Sequence, residues 1–298
     1  MGHGLSRMAA IGSAKVTSST PDALWGSAAL RALHPSAITC AGVTRGRLLD
    51  RCNLTVPVGM RLLLVGQPDA SASALVRIVA GLSRPQRGRI EIAGLSDPTA
   101  DGWGRRVAYL GPHPGIHRWM TPREALELAA KLLDLPRLEA SRRIERALAW
   151  VRIPDAAADR PVRRGGPPLL QRTGFAAALI ADPEVLLLDE PLRAIEADER
   201  SRLLGLPGKR RTVVLASHYP ASEEGLASHV ALIRGGRVEL MTPTGDLEAA
   251  GLSLSMRDIL ALAAARAGDE GGSRRRSEER RVGKECQSVC RSRWSPYH

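Results

Sequence analysis

The sequence predicts an α/β fold with a mostly parallel sheet, an N-terminal antiparallel β portion and a helical subdomain. Short, continuously apolar runs occur in the first and the last third of the chain, and they are typical of strands buried on both faces of a parallel sheet. The middle third instead has apolar residues at helical spacing. The order of strand, loop, helix, helical insertion and further strands indicates the α/β class.

The first third is predicted to contain strands around one helix, after a poorly ordered lead-in over residues 1–36. The run Arg61–Val65 is apolar after its first residue and stops at Gly66, which indicates a buried strand followed by a loop. Residues 89–92 alternate between a charged residue and isoleucine, which indicates an edge strand. The expected elements are strands over 37–43, 53–57, 61–65 and 89–92 and a helix over 74–82.

The middle third is predicted to be helical. Thr121-Pro122-Arg123-Glu124 is a capping box with proline at the first helical position, and it predicts a helix that runs to about Leu133. A second helix is expected over 137–151. Glycines and prolines then interrupt the pattern over 161–168, and a helix is expected to resume over 171–181.

The last third is predicted to return to α/β structure. Two short apolar runs indicate buried strands, and a Gly-Gly pair between two further apolar segments indicates a hairpin. The expected elements are strands over 185–188, 212–216, 229–234 and 237–240, with the turn at Gly235-Gly236, and a capped helix that starts near Ser255.

Composition excludes several classes of protein. At 298 residues the chain can bury a substantial core, and its 44% hydrophobic and 25% charged residues argue against wholesale disorder. No apolar run approaches the roughly 18–20 residues that span a bilayer, so the chain is not expected to be a membrane channel itself. The cysteines show no C-x-x-C spacing, which favours a reduced, cytosolic protein. They are Cys40, Cys52, Cys286 and Cys290.

The net charge of +12 raises the alternative of a basic nucleic-acid-binding protein, but its distribution weakens that alternative. Residues 274–298 alone hold eight Lys and Arg against three Glu, and no dense basic block precedes them. Aromatic residues make up only 3%, so platforms for base stacking are scarce and no nucleic-acid partner is expected. The stretch 263–298 is predicted to be a disordered basic tail, which from about Arg276 resembles a translated sequencing-adapter remnant.

Three stretches of the chain carry a family resemblance by their order and spacing. Leu186-Leu187-Leu188-Asp189-Glu190-Pro191 looks like a Walker B strand with its catalytic glutamate, and Gln171–Leu179 looks like the helix after a signature motif. Val213–His218 looks like a strand that ends in a switch histidine. Together they resemble the ATP-binding subunit of an ABC transporter over about residues 37–262, with a helical subdomain over about 112–175.

The resemblance implies a P-loop NTPase (RecA-like) core and a set of site residues for ATP and Mg²⁺. Asp189 would hold Mg²⁺ through its hydration shell. Glu190 would orient or deprotonate the attacking water, and His218 would sense the γ-phosphate. These are the roles of the matching residues in the family.

The phosphate loop departs from the family pattern G-x-x-x-x-G-K-[ST]. Gly66 and the Mg²⁺-binding Ser73 remain, but Ser71 replaces the second glycine and Ala72 stands where the lysine belongs. Asp69 adds a negative charge where a triphosphate would lie. The lost charge-assisted contact, about 1.5–3 kcal/mol, outweighs the roughly 0.3–2 kcal/mol that a helix N-terminus offers an anion. Weak ATP binding is therefore expected.

The signature motif departs in the same direction. Of the family's Leu-Ser-Gly-Gly-Gln, only Gly165 and Gly166 remain, so the serine that would contact a partner's γ-phosphate is missing. Pro167 and Pro168 then remove backbone donors, and Pro112 takes the place of the lid glutamine. The sequence thus predicts a degenerate member of an ATPase family in which the P-loop lysine is absent.

The resemblance also implies partners. They are a transmembrane transporter subunit and a second nucleotide-binding subunit, and a heterodimer is favoured because both the P-loop and the signature of this chain are damaged. The expected location is cytoplasmic, peripheral on the inner face of the cell membrane. The leading interpretation is a structural or regulatory subunit with weak or no ATP hydrolysis. The alternative of an active ATPase that energises transport rests on Ser73, Asp189, Glu190 and His218.

Overall fold

The structure, a computed structural model, describes residues 36–66, 70–99, 102–190, 192–206 and 211–267. The expected lead-in before Ser36, the P-loop residue Asp69 and the tail beyond residue 267 lie outside the described residues. Ser36 itself already belongs to the first strand.

A three-stranded antiparallel sheet confirms the N-terminal β portion. Its strands are β1 (Ser36–Arg45), β2 (Leu49–Pro57) and β4 (Arg87–Ile92), in the order β2-β1-β4, so β4 is an edge strand as expected. Strand β2 begins four residues before the expected residue 53, and its buried residues are Leu49 and then, in alternation, Cys52, Leu54 and Val56.

A six-stranded sheet confirms the mostly parallel core. Its order is β5-β6-β7-β3-β8-β9, and only the β8–β9 hairpin is antiparallel. The run Leu62–Val65 lies in β3 between two parallel neighbours and is fully buried. The strands are β3 (Arg61–Gly66), β5 (Val107–Leu110), β6 (Val185–Asp189), β7 (Thr212–Ala216), β8 (His229–Arg234) and β9 (Arg237–Pro243).

The helices lie mainly between β5 and β6, as the predicted helical subdomain requires. Four consecutive helices, α3 to α6, fill this interval, and the first of them packs against α4 and α6. The helices are α1 (Ser71–Val79), α2 (Trp103–Arg106), α3 (Pro122–Leu132), α4 (Arg137–Trp150), α5 (Asp155–Ala158), α6 (Gly166–Leu179), α7 (Ala197–Leu204) and α8 (Thr244–Ala249).

The start of α3 is confirmed in atomic detail. The Thr121 hydroxyl accepts the Glu124 amide at 3.1 Å, and the Glu124 carboxylate accepts the Thr121 amide at 2.8 Å. This reciprocal pair satisfies two backbone donors that the first helical turn leaves free, so the local sequence alone fixes this boundary.

The start of α6 differs from expectation. The predicted interruption is present over residues 161–165, which include a 3₁₀ turn over Val162–Arg164, but the helix expected from residue 171 already begins at Gly166. Pro167 and Pro168 therefore lie in the first turn, where a helix lacks intrahelical partners for its amides and so tolerates proline.

A last helix, α9, spans residues 256–267. It continues five residues past the predicted domain boundary at 262. Within the described ranges, no helix is both long enough and apolar enough to span a membrane.

Glu199, in the first turn of α7, links three helices through arginine side chains. Its carboxylate accepts hydrogen bonds from Arg202 at 2.8 Å, from Arg172 of α6 at 2.8 Å and from Arg152, just after α4, at 3.2 Å. These contacts, of which that with Arg202 has the largest effect, lower the pKa of Glu199 to about 2. Burial of the carboxylate acts in the opposite direction. The charged cluster thus ties α6 to α7.

We expect Glu199→Gln to lower the free energy of unfolding by about 2 kcal/mol at pH 7. The lowered pKa means that the folded state prefers the carboxylate, so this stabilisation is complete above the ordinary value of 4.5 and is lost as the pH falls towards 2. Denaturant unfolding at several pH values should show the two proteins converging in acid. The exposed Glu127→Gln is the matched control, and a difference at pH 7 no larger than that of the control would contradict the prediction.

Candidate functional site

The site lies where β3, β6 and β7 end side by side. Since these strands are parallel neighbours, their carboxyl ends lie at one edge of the sheet, where open α/β sheets form their binding crevice. The Glu190 amide donates to the Ala216 carbonyl at 2.9 Å, and the Ser217 amide donates to the Leu64 carbonyl at 3.2 Å. The residues that follow each strand are therefore held together.

Ser73 and Asp189 form the candidate magnesium site. The Ser73 hydroxyl donates to Oδ1 of Asp189 at 2.6 Å across 116 residues of sequence, and Asp189 is only 3% exposed. A hydroxyl and a carboxylate are oxygen ligands of the kind that Mg²⁺ prefers, so the donor set fits that ion. Among the described residues, no group of three or more His, Cys, Asp or Glu side chains is placed to hold a metal ion.

Tyr109 is a site residue that sequence reasoning missed. Its hydroxyl donates to Oδ2 of Asp189 at 3.1 Å from the neighbouring strand β5. Burial, and next the Asp189 charge, raise the pKa of Tyr109 to about 12, so the phenol keeps its proton and remains a donor. A Cβ on Gly111 would lie 2.7 Å from the Tyr109 hydroxyl, so the glycine leaves room for the ring. Nothing in the sequence distinguished this tyrosine from a core aromatic residue.

The described ends of the phosphate loop, Gly66 and Ala70–Ser73, contain no positively charged residue. A Cβ on Gly66 would lie 2.9 Å from the Ser71 hydroxyl oxygen, so a larger residue at position 66 would displace the Ser71 side chain. Ala70, with φ of 60°, precedes the helix without a side-chain cap. Ala72 is 5% exposed and offers no cation, so the backbone amides at the start of α1 are the candidate donors for an anion.

Glu190 and His218 are brought into direct contact. Oε1 of Glu190 accepts the His218 amide at 2.8 Å and also contacts Nδ1 of the imidazole. Oε2 forms an ion pair with Arg193, whose guanidinium lies 4.9 Å from the ring centroid of Tyr219. Glu190 itself is 8% exposed, so its carboxylate is enclosed by these groups.

Glu223 and Arg200 form a buried ion pair that contacts Ser217, the residue before His218. Glu223, 2% exposed, has both carboxylate oxygens 3.4 Å from the Arg200 guanidinium, and Oε1 also accepts the Ser217 hydroxyl at 3.4 Å. Arg200 donates to the Ser222 carbonyl at 2.6 Å. Burial raises the pKa of Glu223, and the Arg200 charge opposes that rise. This pair fixes the segment after His218 to α7.

The predicted signature residues are not part of this cluster. Gly165 and Gly166 lie at the start of α6, and within the described ranges no hydrogen bond joins them to Ser73, Asp189 or Glu190. The connection from α6 runs through side chains further along. Oε1 of Gln171 accepts the Ala194 amide at 2.8 Å, which links the helix to the loop after β6.

Comparison with known proteins identifies the family. Residues 49–193 match the ABC transporter family. The chain is 33% identical over 196 residues to an uncharacterised ABC transporter ATP-binding protein of Nostoc sp., covering 64% of this chain and 58% of that protein. It is 31% identical over 216 residues to the nickel import ATP-binding protein NikO of Rhodobacter capsulatus, covering 67% of this chain and 84% of NikO. The chain belongs to the ABC transporter ATP-binding proteins.

Solved ABC cassettes have the same fold. The "ATP binding subunit of ABC transporter" superposes with a TM-score of 0.64 at 22% identity, over 76% of this chain and 99% of that one. The ADP- and phosphate-bound dimer of the ATP-binding cassette MJ0796 gives 0.61 at 18% identity, over 69% and 98%. The predicted P-loop NTPase core is therefore confirmed. The chain spans just over half the length of the Nostoc relative and of the sulfate/thiosulfate import protein CysA of Mycobacterium tuberculosis, which is 29% identical over 204 residues.

Proposed function

We propose that this cassette is the ATP-binding subunit of a membrane ABC transporter that has lost most of its own ATP affinity and acts as a structural or regulatory partner. The proposal rests on the contrast between two adjacent residues of α1, Ser73 and Ala72. Ser73 is hydrogen-bonded to Asp189 as a magnesium site requires, whereas Ala72 provides no charge for the phosphates. The two residues that would hold Mg²⁺ are thus present, whereas the loop that would bind the phosphates lacks its lysine.

The remaining residues have defined parts in this proposal. Ser73 and Asp189 would hold Mg²⁺, which neutralises phosphate charge when bound. Gly66 and the amides at the start of α1 would contact the phosphates. The first turn of α1 contains no acidic residue that would repel them. Glu190 and His218, which are hydrogen-bonded to each other, would be the candidate base and γ-phosphate sensor.

The signature supports a subunit that depends on a partner. Gly166, with φ of 66°, keeps a backbone conformation that favours glycine, but Pro167 and Pro168 in the first turn of α6 remove two of the amides that a bound phosphate would need. A homodimer would therefore combine a weakened P-loop with a weakened signature at both of its sites. We propose a heterodimer with a second, competent cassette.

The proposed setting is an import system. Relatives carry the names sulfate/thiosulfate, methionine and nickel import ATP-binding protein, and these names differ in substrate. We therefore propose import without assigning the substrate. The cassette would lie on the inner face of the cell membrane, bound to a separate transmembrane subunit.

Rebuilding the P-loop should recover nucleotide binding. We expect the double variant Ser71→Gly/Ala72→Lys to bind Mg-ATP about 10- to 100-fold more tightly than the unmodified chain, because the lysine adds a charge-assisted contact of about 1.5–3 kcal/mol. The measurement is displacement of a fluorescent ATP analogue by Mg-ATP. The matched control is Ser71→Gly/Ala72→Met, which adds a side chain of similar length without the charge.

Two results would contradict the proposal. The first is Mg-ATP binding at micromolar concentration by the unmodified chain, and the second is equal affinity of the lysine and methionine variants. The intact Ser73–Asp189 pair keeps an active ATPase as the second candidate function. Phosphate release by the unmodified chain, abolished by Asp189→Asn, would establish that candidate instead.

A further inference from the structure

Both carboxylate oxygens of Glu190 contact a basic side chain, Oε1 that of His218 and Oε2 that of Arg193. We propose that in this chain Glu190 is the anchor of a clasp with Arg193 and His218 that joins the loop after β6 to the loop after β7, and that Arg193 occupies the oxygen a catalytic base would need. The clasp deepens the proposed function. It depends on that proposal only in taking Glu190 as the residue that matches the family's catalytic base.

The first side of the clasp is the contact with His218. Oε1 of Glu190 receives the His218 amide at 2.8 Å and meets Nδ1 of the same residue. A backbone amide cannot rotate away as a side chain can, so this oxygen is held by the position of the loop itself. The Glu190 amide in turn donates to the Ala216 carbonyl at 2.9 Å, so the two loops are joined at two points.

The second side of the clasp is Arg193. Its guanidinium forms an ion pair with Oε2 of Glu190 and lies over the ring of Tyr219, 4.9 Å from the centroid. Stacking on an aromatic ring orients the planar guanidinium and reduces the entropy that the ion pair must overcome. Tyr219 follows His218 directly, so Arg193 also joins the same two loops.

The backbone between these contacts is strained. Glu190 has φ of 51° and Leu192 has φ of 53°, both in the left-handed region that a non-glycine residue adopts at a cost of about 1–3 kcal/mol. Such conformations persist where surrounding contacts hold them, and the contacts at Glu190 are those of the clasp.

The chemical consequence concerns water activation. A general base must accept a hydrogen bond from the water that it activates, at about 2.6–3.2 Å. Here Oε1 accepts a backbone amide, whereas Oε2 is buried, accepts no hydrogen bond from the described part of the chain and is ion-paired with the Arg193 guanidinium. A water molecule can therefore reach Oε2 only when the Arg193 side chain moves away. Activation of water by Glu190 would therefore require that the contact with Arg193 be broken first.

The test measures melting temperatures of the unmodified chain and of Glu190→Gln, Arg193→Ala and the double variant, all without nucleotide. A carboxylate kept for catalysis is commonly removed with little loss or a gain of stability. Removal of a residue that holds two loops together instead lowers the melting temperature. We expect each single variant to melt about 2–4 °C lower and the double variant to melt no lower than the less stable single one. Arg146→Ala, at an arginine 73% exposed, is the matched control.

Two results would overturn the clasp. One is an unchanged or raised melting temperature of Glu190→Gln, and the other is additivity of the two substitutions. Glu190-dependent phosphate release by the Ser71→Gly/Ala72→Lys variant would overturn it as well. Failure of that variant to bind ATP would instead count against the proposed function, and the melting shifts would still decide the clasp.

Discussion

Replacing Glu223 with alanine is expected to lower the free energy of unfolding by about 3–5 kcal/mol, because the substitution leaves the Arg200 guanidinium buried without its counter-charge. Arg200 is 8% exposed, and its remaining hydrogen bond is to the Ser222 carbonyl. Denaturant unfolding at neutral pH measures the loss. The same substitution also releases the Ser217 hydroxyl, so we expect the segment before His218 to be less protected in hydrogen exchange.

A double replacement separates the charge effect from the loss of packing. Arg200→Met/Glu223→Leu removes both charges and keeps apolar volume, and such replacements are often neutral or stabilising. We therefore expect the double variant to regain most of the stability that Glu223→Ala loses. A double variant as unstable as the single one would show that packing, not the unpaired charge, accounts for the loss.

Phe175→Ala is expected to cost about 3–5 kcal/mol, because it leaves a cavity in a fully buried site. Phe175 is the one phenylalanine of the chain and lies in α6, the helix that packs against α3, α4 and β5. We expect the melting temperature to fall by about 10 °C in a thermal scan, at about 2–4 °C for each kcal/mol.

The exposed Leu132→Ala is the control for Phe175→Ala. Leu132 lies at the end of α3 and is 78% exposed, so its truncation should change the melting temperature by little. Equal effects of the two substitutions would contradict the assignment of α6 to the core of the helical subdomain.

The fold was predictable where local sequence and burial impose it. β3, β6 and β7 are buried on both faces, so their sequences are apolar without interruption. The start of α3 was predictable because Thr121 and Glu124 satisfy each other's amides within four residues. β5 was not predicted, since four residues over Val107–Leu110 carry too little periodicity to separate a strand from a loop.

The candidate site was predictable only at residues that a motif contains. Ser73, Asp189, Glu190 and His218 stand at recognisable spacing, whereas the residues that contact them do not. The Tyr109 hydroxyl reaches Asp189 from 80 residues away, and such a contact depends on strand order rather than on local pattern. The Arg193 contact depends on the left-handed backbone of Glu190, a conformation that glutamate rarely adopts and that no local signal announces.

The position of β3 determines when the protein can fold during synthesis. The sheet of β1, β2 and β4 is complete once residue 92 has been made, but β3 has no neighbour in its own sheet until β7 and β8 are synthesised. The separation in sequence is long: the amide of Gly59, just before β3, donates to the hydroxyl of Thr212, 153 positions later in the chain. Until then the apolar run Leu62–Val65 has two unpaired edges, as aggregation-prone folding intermediates do. We therefore expect the pairing of β3 with two strands from the other end of the chain to be a slow step of folding.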